Sequence, residues 1–505
     1  MGKFYITTAI DYANSTPHLG TAYEKIGADV IARYRRLVGD DVHFLMGNDE
    51  HSQNVRKKAE ELNLSPQGYC DKMAQEFKAT WKILHISNDD FIQTSEKRHH
   101  EVVRDIAKRI YDNQYIYKAP YEGPYCVSCE VFYQEEDLLD GVCPHHKVKP
   151  ERIREENYFF RLSDFTAKLK SHFKETPNFI RPVSRRNELE AFLGRGLEDI
   201  SISRAGKSWG VKLPFDELAV AYVWFDALIN YVSAVGPIGS EKYNHYWPAD
   251  LHVIGKDITR FHGLIWPAIL MAANLPVPKS VWGHGFLSIR GEKMSKTRGN
   301  VADPKNLAKV HGADPLRYHL MREVSWDRDG DFSEERLVAR YNADLANDLG
   351  NLLSRTVSMT EKYVGKELKR PTNLTMTPEL DRIKKTISTY KAKMENFEIA
   401  QALEEVWSLV TQANLLIDKM QPWGMAKDQA KKEKLHELLY ILLESLRWTG
   451  VLLTPVMPMK MGELLHAIGA HEQESMLIEK QRIKPGEKAL FKIHLVSPLF
   501  PRLQS

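Results

Sequence analysis

The sequence predicts an α/β protein: a parallel-sheet domain interrupted by an inserted module and followed by a C-terminal α-helical bundle. Three observations predict it. The first 50 residues alternate strand-like and helix-like patterns. Residues 116 to about 155 lose long periodicity and gather tyrosine, cysteine, proline, glycine and charge. The last third carries successive apolar stripes at helical spacing.

Phe4 to Thr8 is a short β-prone run, and Asp11 to Pro17 is turn-rich. From His18 a helix is expected, with Tyr23, Ile26, Val30, Tyr34 and Leu37 on one stripe. Gly39-Asp40-Asp41 stops it, and Val42 to Met46 reads as a second strand. Such β-α-β units build parallel sheets. Strand-like segments return at Leu251–Gly255 and Val281–Ile289, so the sheet resumes after the insertion. The expected division is 1–115 and 220–290 for the two halves of the sheet domain and 116–219 for the connective insertion. A loop region over 291–340, a bundle over 341–480 and a tail over 481–505 complete it.

Thr377-Pro378 reads as an N-cap followed by proline at the first helical position. Leu380, Ile383, Ile387, Tyr390 and Met394 continue that helix. Ile399, Leu403, Val406 and Val410 mark a second, and Leu435, Leu439, Leu442 and Leu446 a third. Short connections between such helices make a bundle.

A chain of 505 residues has room for two to four domains. The net charge of +3, from 70 basic and 67 acidic residues, neither demands nor excludes a nucleic-acid partner. No apolar run of 18 residues and no signal-peptide core occur, so a soluble, cytoplasmic protein without membrane contact is expected. Of four cysteines, Cys70 stands alone and reads as a buried thiol. The others form Cys126-x2-Cys129-x13-Cys143-x2-His146, a spacing suited to one tetrahedral zinc ion, with His145 adjacent as another candidate ligand. Such a metal would stabilise a core-poor insertion and do no chemistry.

Two segments suggest a nucleotide site. Pro17-His18-Leu19-Gly20-Thr21 sits where a strand-loop meets a helix N-terminus, which favours an anion. Lys293-Met294-Ser295-Lys296-Thr297 follows a strand and a turn, and its lysines suit charge building on a transferring phosphate. Singly, the first could be structural and the second an exposed charged loop. There is no G-x-x-x-x-G-K-[ST] loop and no G-x-G-x-x-G after the first strand.

Together the pair resembles the HIGH and KMSKS signatures of class I aminoacyl-tRNA synthetases. His18, Gly20, Lys293 and Lys296 match, whereas Thr21 and Thr297 depart from the signatures. Ala9–Asn14, Gly47–His51, Trp224–Tyr231 and Gly255–His262 resemble the methionine-specific members, over essentially the whole chain. The resemblance implies a Rossmann-like catalytic domain that activates L-methionine with ATP and Mg2+ and charges tRNA(Met), initiator and elongator. It implies His18, Lys293 and Lys296 as catalytic residues, and His18, Gly20, Thr21, Glu24, Gly255, Asp257 and Lys296 around ATP. Ala9, Ile10, Tyr12, Asp49, Trp224, Ala227, Leu228, Tyr231, Ile258, Phe261 and His262 would surround methionine, with Asp49 holding its ammonium and Tyr12 and His262 near its sulfur. Aromatic walls suit a flexible, polarisable thioether. Read from the residues alone, Trp224 and Phe261 are equally core aromatics, and Asp49 a helix cap.

By the same resemblance His146 is the fourth zinc ligand. Asn347, Asn351, Arg355 and Trp423 would read the anticodon, where splayed bases stack on aromatics; otherwise they are a polar helix face and a core tryptophan. Longer relatives dimerise through an OB-fold module beyond the bundle, so a monomer is expected. Three rivals remain: a class I enzyme for cysteine, valine or leucine; a catalytically silent RNA-binding paralogue; and a free-standing nucleotidyltransferase.

Overall fold

A computed structural model describes residues 2–128, 130–133, 135–144, 147–205, 209–289, 291–293, 302–470 and 484–503, without the side chains of residues 131, 205, 292 and 293. β1 (Lys3–Thr8), α1 (Leu19–Leu37) and β2 (Asp41–Asp49) form the expected β-α-β unit. The sheet adds β3 (Asp90–Gln93), β4 (Leu251–Gly255) and β5 (Val281–His284). Its order is β3-β2-β1-β4-β5, all parallel, with Asp11–Tyr12 beside the end of β2 and Ile180–Arg181 beside β5. Ile6 faces both Phe44 and Leu251, which fixes the register of the central strands.

Both sheet faces are buried. Ile6, Phe44, Met46 and Val253 join one core with α1, and Tyr5, Leu45, Ile254 and Val281 join another with helices Lys97–Asp112 and Trp266–Ala272. Strands buried on two sides read as continuous apolar runs, which is why Val42–Met46 shows no alternation. Helix α1 is buried along most of its 19 residues, charged Glu24, Lys25 and Asp29 included.

The stretch without periodicity is a long antiparallel ribbon. Ile116–Cys126 pairs with Glu151–Phe160, from Ile116 opposite Phe160 to Tyr125 opposite Glu151. The chain then returns to the main sheet through Ile180–Arg181, between helices Thr166–Glu175 and Val183–Arg195. A two-residue strand is too short to carry a periodic signal.

The C-terminal helices are Thr377–Glu395, Ile399–Met420, Lys432–Leu453 and Pro458–Ala467. Met376, not Thr377, occupies the cap position of the first, a shift of one residue. Leu403, Val406, Val410, Leu435, Leu439, Leu442 and Leu446 are buried together. Near the chain end Leu490–Lys492 pairs with Glu367–Lys369, and the Tyr341 hydroxyl donates to the Pro501 carbonyl at 2.9 Å. Among the described residues no helix is long and apolar enough to cross a membrane.

Candidate active site

A cleft of about 1410 Å³ opens at the C-terminal ends of the parallel strands, where open α/β sheets bind ligands. Ala9, Ile10, Tyr12, His18, Gly20, Thr21, Glu24, Trp224, Gly255, Asp257, Ile258 and Phe261 all line it. Residues from four separate segments of sequence thus converge on one place.

His18 is the N-cap of α1. Its Nδ1 accepts the Thr21 backbone N–H at 3.1 Å, and the Thr21 hydroxyl lies 3.3 Å from the same nitrogen. An accepting Nδ1 leaves the ring proton on Nε2. The bond to Nδ1 is the backbone's, and the Thr21 hydroxyl adds only a longer contact to the same ring. The next backbone N–H, of Leu19, donates to the Ala302 carbonyl at 3.1 Å. On the near side, the backbone of Lys293 pairs with Ser288 in the strand Leu287–Ile289, and Leu287 lines the cleft. Lys296 and Thr297, with the side chain of Lys293, lie outside the described residues. The described chain on either side of that loop is fastened at the cleft.

Glu24 is buried, and each carboxylate oxygen has a partner: Lys25 Nζ at 2.6 Å and His284 Nε2 at 2.9 Å. Burial opposes its ionisation, but Lys25 and His284 prevail and hold the carboxyl below the usual range. Lys25 also donates to the Ala9 carbonyl at 2.8 Å and pairs with Asp11 at 3.0 Å. Nothing in the helical stripe signals this buried ammonium.

Along another wall of the cleft, Trp224 stacks on Phe261 with ring centroids 3.9 Å apart, and Tyr12 meets Trp224 edge-on at 6.2 Å. The two stacked rings face the cleft and are half-buried, so they are not core aromatics. Asp49, Ala227, Leu228, Tyr231 and His262 are buried and do not line the cleft. The Tyr231 hydroxyl lies 2.7 Å from His262 Nε2, and His262 Nδ1 lies 3.1 Å from the Ile258 carbonyl. Nδ1–H therefore donates to Ile258 and Nε2 accepts from Tyr231. Burial lowers this imidazole to about 4, so it is neutral. Both its nitrogens are already engaged, which leaves it a poor candidate for a direct sulfur contact.

The Tyr12 hydroxyl, Trp224 Nε1 and Asp49 Oδ1 are buried without a hydrogen-bond partner among the described residues. Such atoms are costly unless a ligand satisfies them. Burial, then the charges of Asp226, Glu130 and Glu50, push the Asp49 carboxyl well above the usual range. A substrate cation would reverse that shift. Gly47, two residues earlier, has no room for a side chain: a Cβ would come 2.2 Å from the Ile92 carbonyl and 2.9 Å from Ile10 Cγ2.

Asp49 does not cap the next helix. Ser52 caps Gln53–Glu61, and Glu130 Oε1 accepts the N–H groups of Gln53 at 2.5 Å and Asn54 at 3.2 Å. The Tyr222 hydroxyl donates to the Glu130 carbonyl. Glu130 thus touches both the segment after Asp49 and the segment before Trp224. Behind them, Asp226 bonds His51 Nδ1 at 2.6 Å and His99 Nε2 at 2.9 Å. Despite full burial these two rings hold its carboxyl well below the usual range. Neither cluster is legible in the sequence, because each joins residues far apart in the chain.

Cys126 pairs antiparallel with Val131. Cys143 donates its N–H to Val148 at 2.8 Å and accepts from Lys147 at 2.8 Å. Each cysteine therefore stands at the base of a turn closed by the residue five positions on, and both thiols are buried. Two such turns fit a two-knuckle zinc site. Cys129 and His146 lie outside the described residues, and among the described residues no three candidate ligands gather.

In the bundle, Asn347 falls in a π-helical turn, Tyr341–Gly350, with Asn351 and Arg355 on the helix Asn351–Tyr363. Asn347 Oδ1 accepts from Arg502 at 2.9 and 2.6 Å. Arg355 pairs with Asp418 at 2.8 Å. Asp418 lies in the last turn of its helix, which ends at Gln421 in a left-handed conformation with φ 46°. Pro422 starts a new turn, and Trp423 is 46% exposed. It is therefore not a core tryptophan.

Residues 4–153 and 146–357 match the family described as tRNA synthetases class I (M), and residues 373–486 the anticodon binding domain of methionyl tRNA ligase. The methionine–tRNA ligase of Caldanaerobacter subterraneus is 46% identical over 499 residues, 96% of this chain and 78% of its own length. That of Thermotoga maritima is 41% identical over 512 residues, 100% of this chain and 81% of its own. The Mycobacterium tuberculosis methionyl-tRNA synthetase in complex with methionyl-adenylate superposes with TM-score 0.95 at 38% identity, covering 99% of this chain and 100% of that one. Its apo form gives 0.90 at 35% identity, covering 100% and 99%.

Proposed function

The chain belongs to the class I methionyl-tRNA synthetases, and from that membership we infer how its own residues divide the work. It is a methionine–tRNA ligase: it activates methionine with ATP and transfers the methionyl group to tRNA. The methionine carboxylate attacks the α-phosphorus of ATP, which forms methionyl-adenylate and expels pyrophosphate. His18 donates from Nε2 to the reacting phosphate oxygens, and Lys293 and Lys296 neutralise the charge that builds there. Gly20, Thr21, Glu24, Gly255 and Asp257 form the adenosine side, with Glu24 acting through Lys25 and His284. Mg2+ brought in with ATP would add charge neutralisation. The 2′-hydroxyl of the terminal adenosine then attacks the adenylate carbonyl and releases AMP.

Asp49 holds the substrate ammonium, and Ala9, Ile10, Tyr12, Trp224, Ile258 and Phe261 form the side-chain pocket. Ala227, Leu228, Tyr231 and His262 back it. Cys126, Cys129, Cys143 and His146 would hold one structural zinc ion, which would supply only a cross-link. Asn347, Asn351, Arg355 and Trp423 read the anticodon of initiator and elongator tRNA(Met). A cytoplasmic monomer, divided as the sequence suggests, completes the proposal.

The observation that carries this assignment of roles is the Leu19–Ala302 hydrogen bond. It brings the downstream end of the lysine loop to the start of the helix that His18 caps. Methionine-dependent ATP–pyrophosphate exchange, followed by charging of a tRNA with a CAU anticodon, tests it. Exchange that is driven by cysteine, valine or leucine and not by methionine would overturn it.

A further inference from the structure

We propose that Lys25 is a positioning residue that keeps the amino-acid wall and the nucleotide wall of the cleft in a single register. The side chain is fully buried. Its ammonium donates to the Ala9 carbonyl at 2.8 Å and Glu24 Oε1 at 2.6 Å, and meets Asp11 Oδ2 at 3.0 Å. Two acceptors take its hydrogen bonds and the Asp11 carboxylate adds an ion pair, so the buried charge is compensated.

Those partners belong to different walls. Ala9 and Asp11 flank Ile10 and precede Tyr12, the residues assigned to the methionine side chain. Glu24 lies on α1, one turn beyond His18 and Gly20, and its second oxygen reaches His284 Nε2 at the end of β5. One ammonium therefore ties the loop after β1 to the helix that carries the nucleotide signature, and through Glu24 to the far side of the sheet. Lys25 itself does not line the cleft. It acts only through the positions of its partners.

Without the ammonium, the buried Glu24 carboxylate and the part-buried Asp11 carboxylate at the cleft lose the cation they share. Their like charges then repel. Glu24 is fixed in a packed helix, so the loop bearing Asp11 is the part that yields. Ile10 and Tyr12 then leave their places opposite Trp224, and Glu24 loses the partner that aims it at His284. Both substrates are held less well, while the groups at the α-phosphate are untouched.

This inference rests on the reading of the cleft as the methionine and ATP site. The test is ATP–pyrophosphate exchange by wild type and Lys25→Met, with each substrate varied in turn. KM for methionine and KM for ATP are expected to rise together, by about fivefold or more, with kcat within about twofold. If Lys25→Met does not fold, Lys25→Gln, which can still donate to one or two acceptors, is judged by the same criterion. A folded variant with both KM values unchanged and only a lower Tm would show a structural role and overturn the proposal. A rise in one KM alone would overturn it too. Wild type inactive with methionine would instead overturn the reading of the site itself.

Discussion

Arg317 and Asp29 form a fully buried ion pair, with Nη2 2.7 Å from Oδ2. Asp29 lies on α1, in the sheet domain. Arg317, from the helix Ala313–Glu323, also donates to the carbonyls of Leu84, Pro455 and Val456. One guanidinium thus joins the sheet domain, the segment leading to β3 and the C-terminal bundle. Removing one member of a buried pair costs about 3–5 kcal/mol when the other charge is stranded; Asp29 keeps Arg33 at 2.8 Å and two Ser87 donors, so the lower end, about 3 kcal/mol, applies. Arg317→Met is expected to lose that much in urea unfolding. Arg317→Met with Asp29→Leu should recover a good part of it; no recovery would refute an electrostatic role.

Lys296→Ala should lower kcat of ATP–pyrophosphate exchange by about 10²–10³-fold, the range seen when a donor to a transition-state charge is removed. KM for methionine should stay close to wild type. An unchanged kcat would remove Lys296 from the phosphate site.

Asp49 supplies a pH prediction. Its carboxyl is raised by burial and by neighbouring acids. The folded protein therefore holds a proton there above the usual carboxylate range, and stability falls as pH rises from that range through the raised value. Asp49→Asn should raise Tm at neutral pH while abolishing methionine binding. In wild type, methionine binding should release a proton, visible as a calorimetric enthalpy that varies with the buffer. Absence of any such dependence would place the ammonium elsewhere.

Trp423→Ala should cut kcat/KM for tRNA charging by about 5- to 150-fold, matching about 1–3 kcal/mol for one stacked base. Methionine-dependent exchange should remain within about twofold. Equal loss in both assays would indicate damage to the fold.

One zinc ion per chain is expected by elemental analysis, and Cys126→Ser should reduce that content. Because Glu130 beside the knuckle caps the helix after Asp49, metal loss should also raise KM for methionine more than KM for ATP. A variant that loses zinc but keeps its thermal transition and methionine KM would show that the metal does not support the pocket.

Much of this was legible in the residues. The stripe Tyr23, Ile26, Val30, Tyr34 and Leu37 and the runs after it follow from local periodicity, which a sequence carries openly. Trp224 and Phe261 were recognisable as pocket residues only by resemblance, since an aromatic ring reads the same in a core and in a wall. The roles of Lys25, Glu130 and Asp226 were not legible. Each depends on partners brought close by the fold, such as Glu130 with Gln53 or Asp226 with both His51 and His99. The strand Ile180–Arg181 was hidden for a different reason: two residues cannot show a period.

The enclosure of α1 has a further consequence. A helix walled in by a sheet, a bundle and its own paired charges has no soft direction in which to slide. The imidazole at its tip is then a fixed reference point, like an anvil. Adjustment during turnover must then fall to the chain that meets it from outside, above all the segment between β1 and α1. Changes meant to alter substrate choice should be sought there, because a change within the helix would disturb every partner at once.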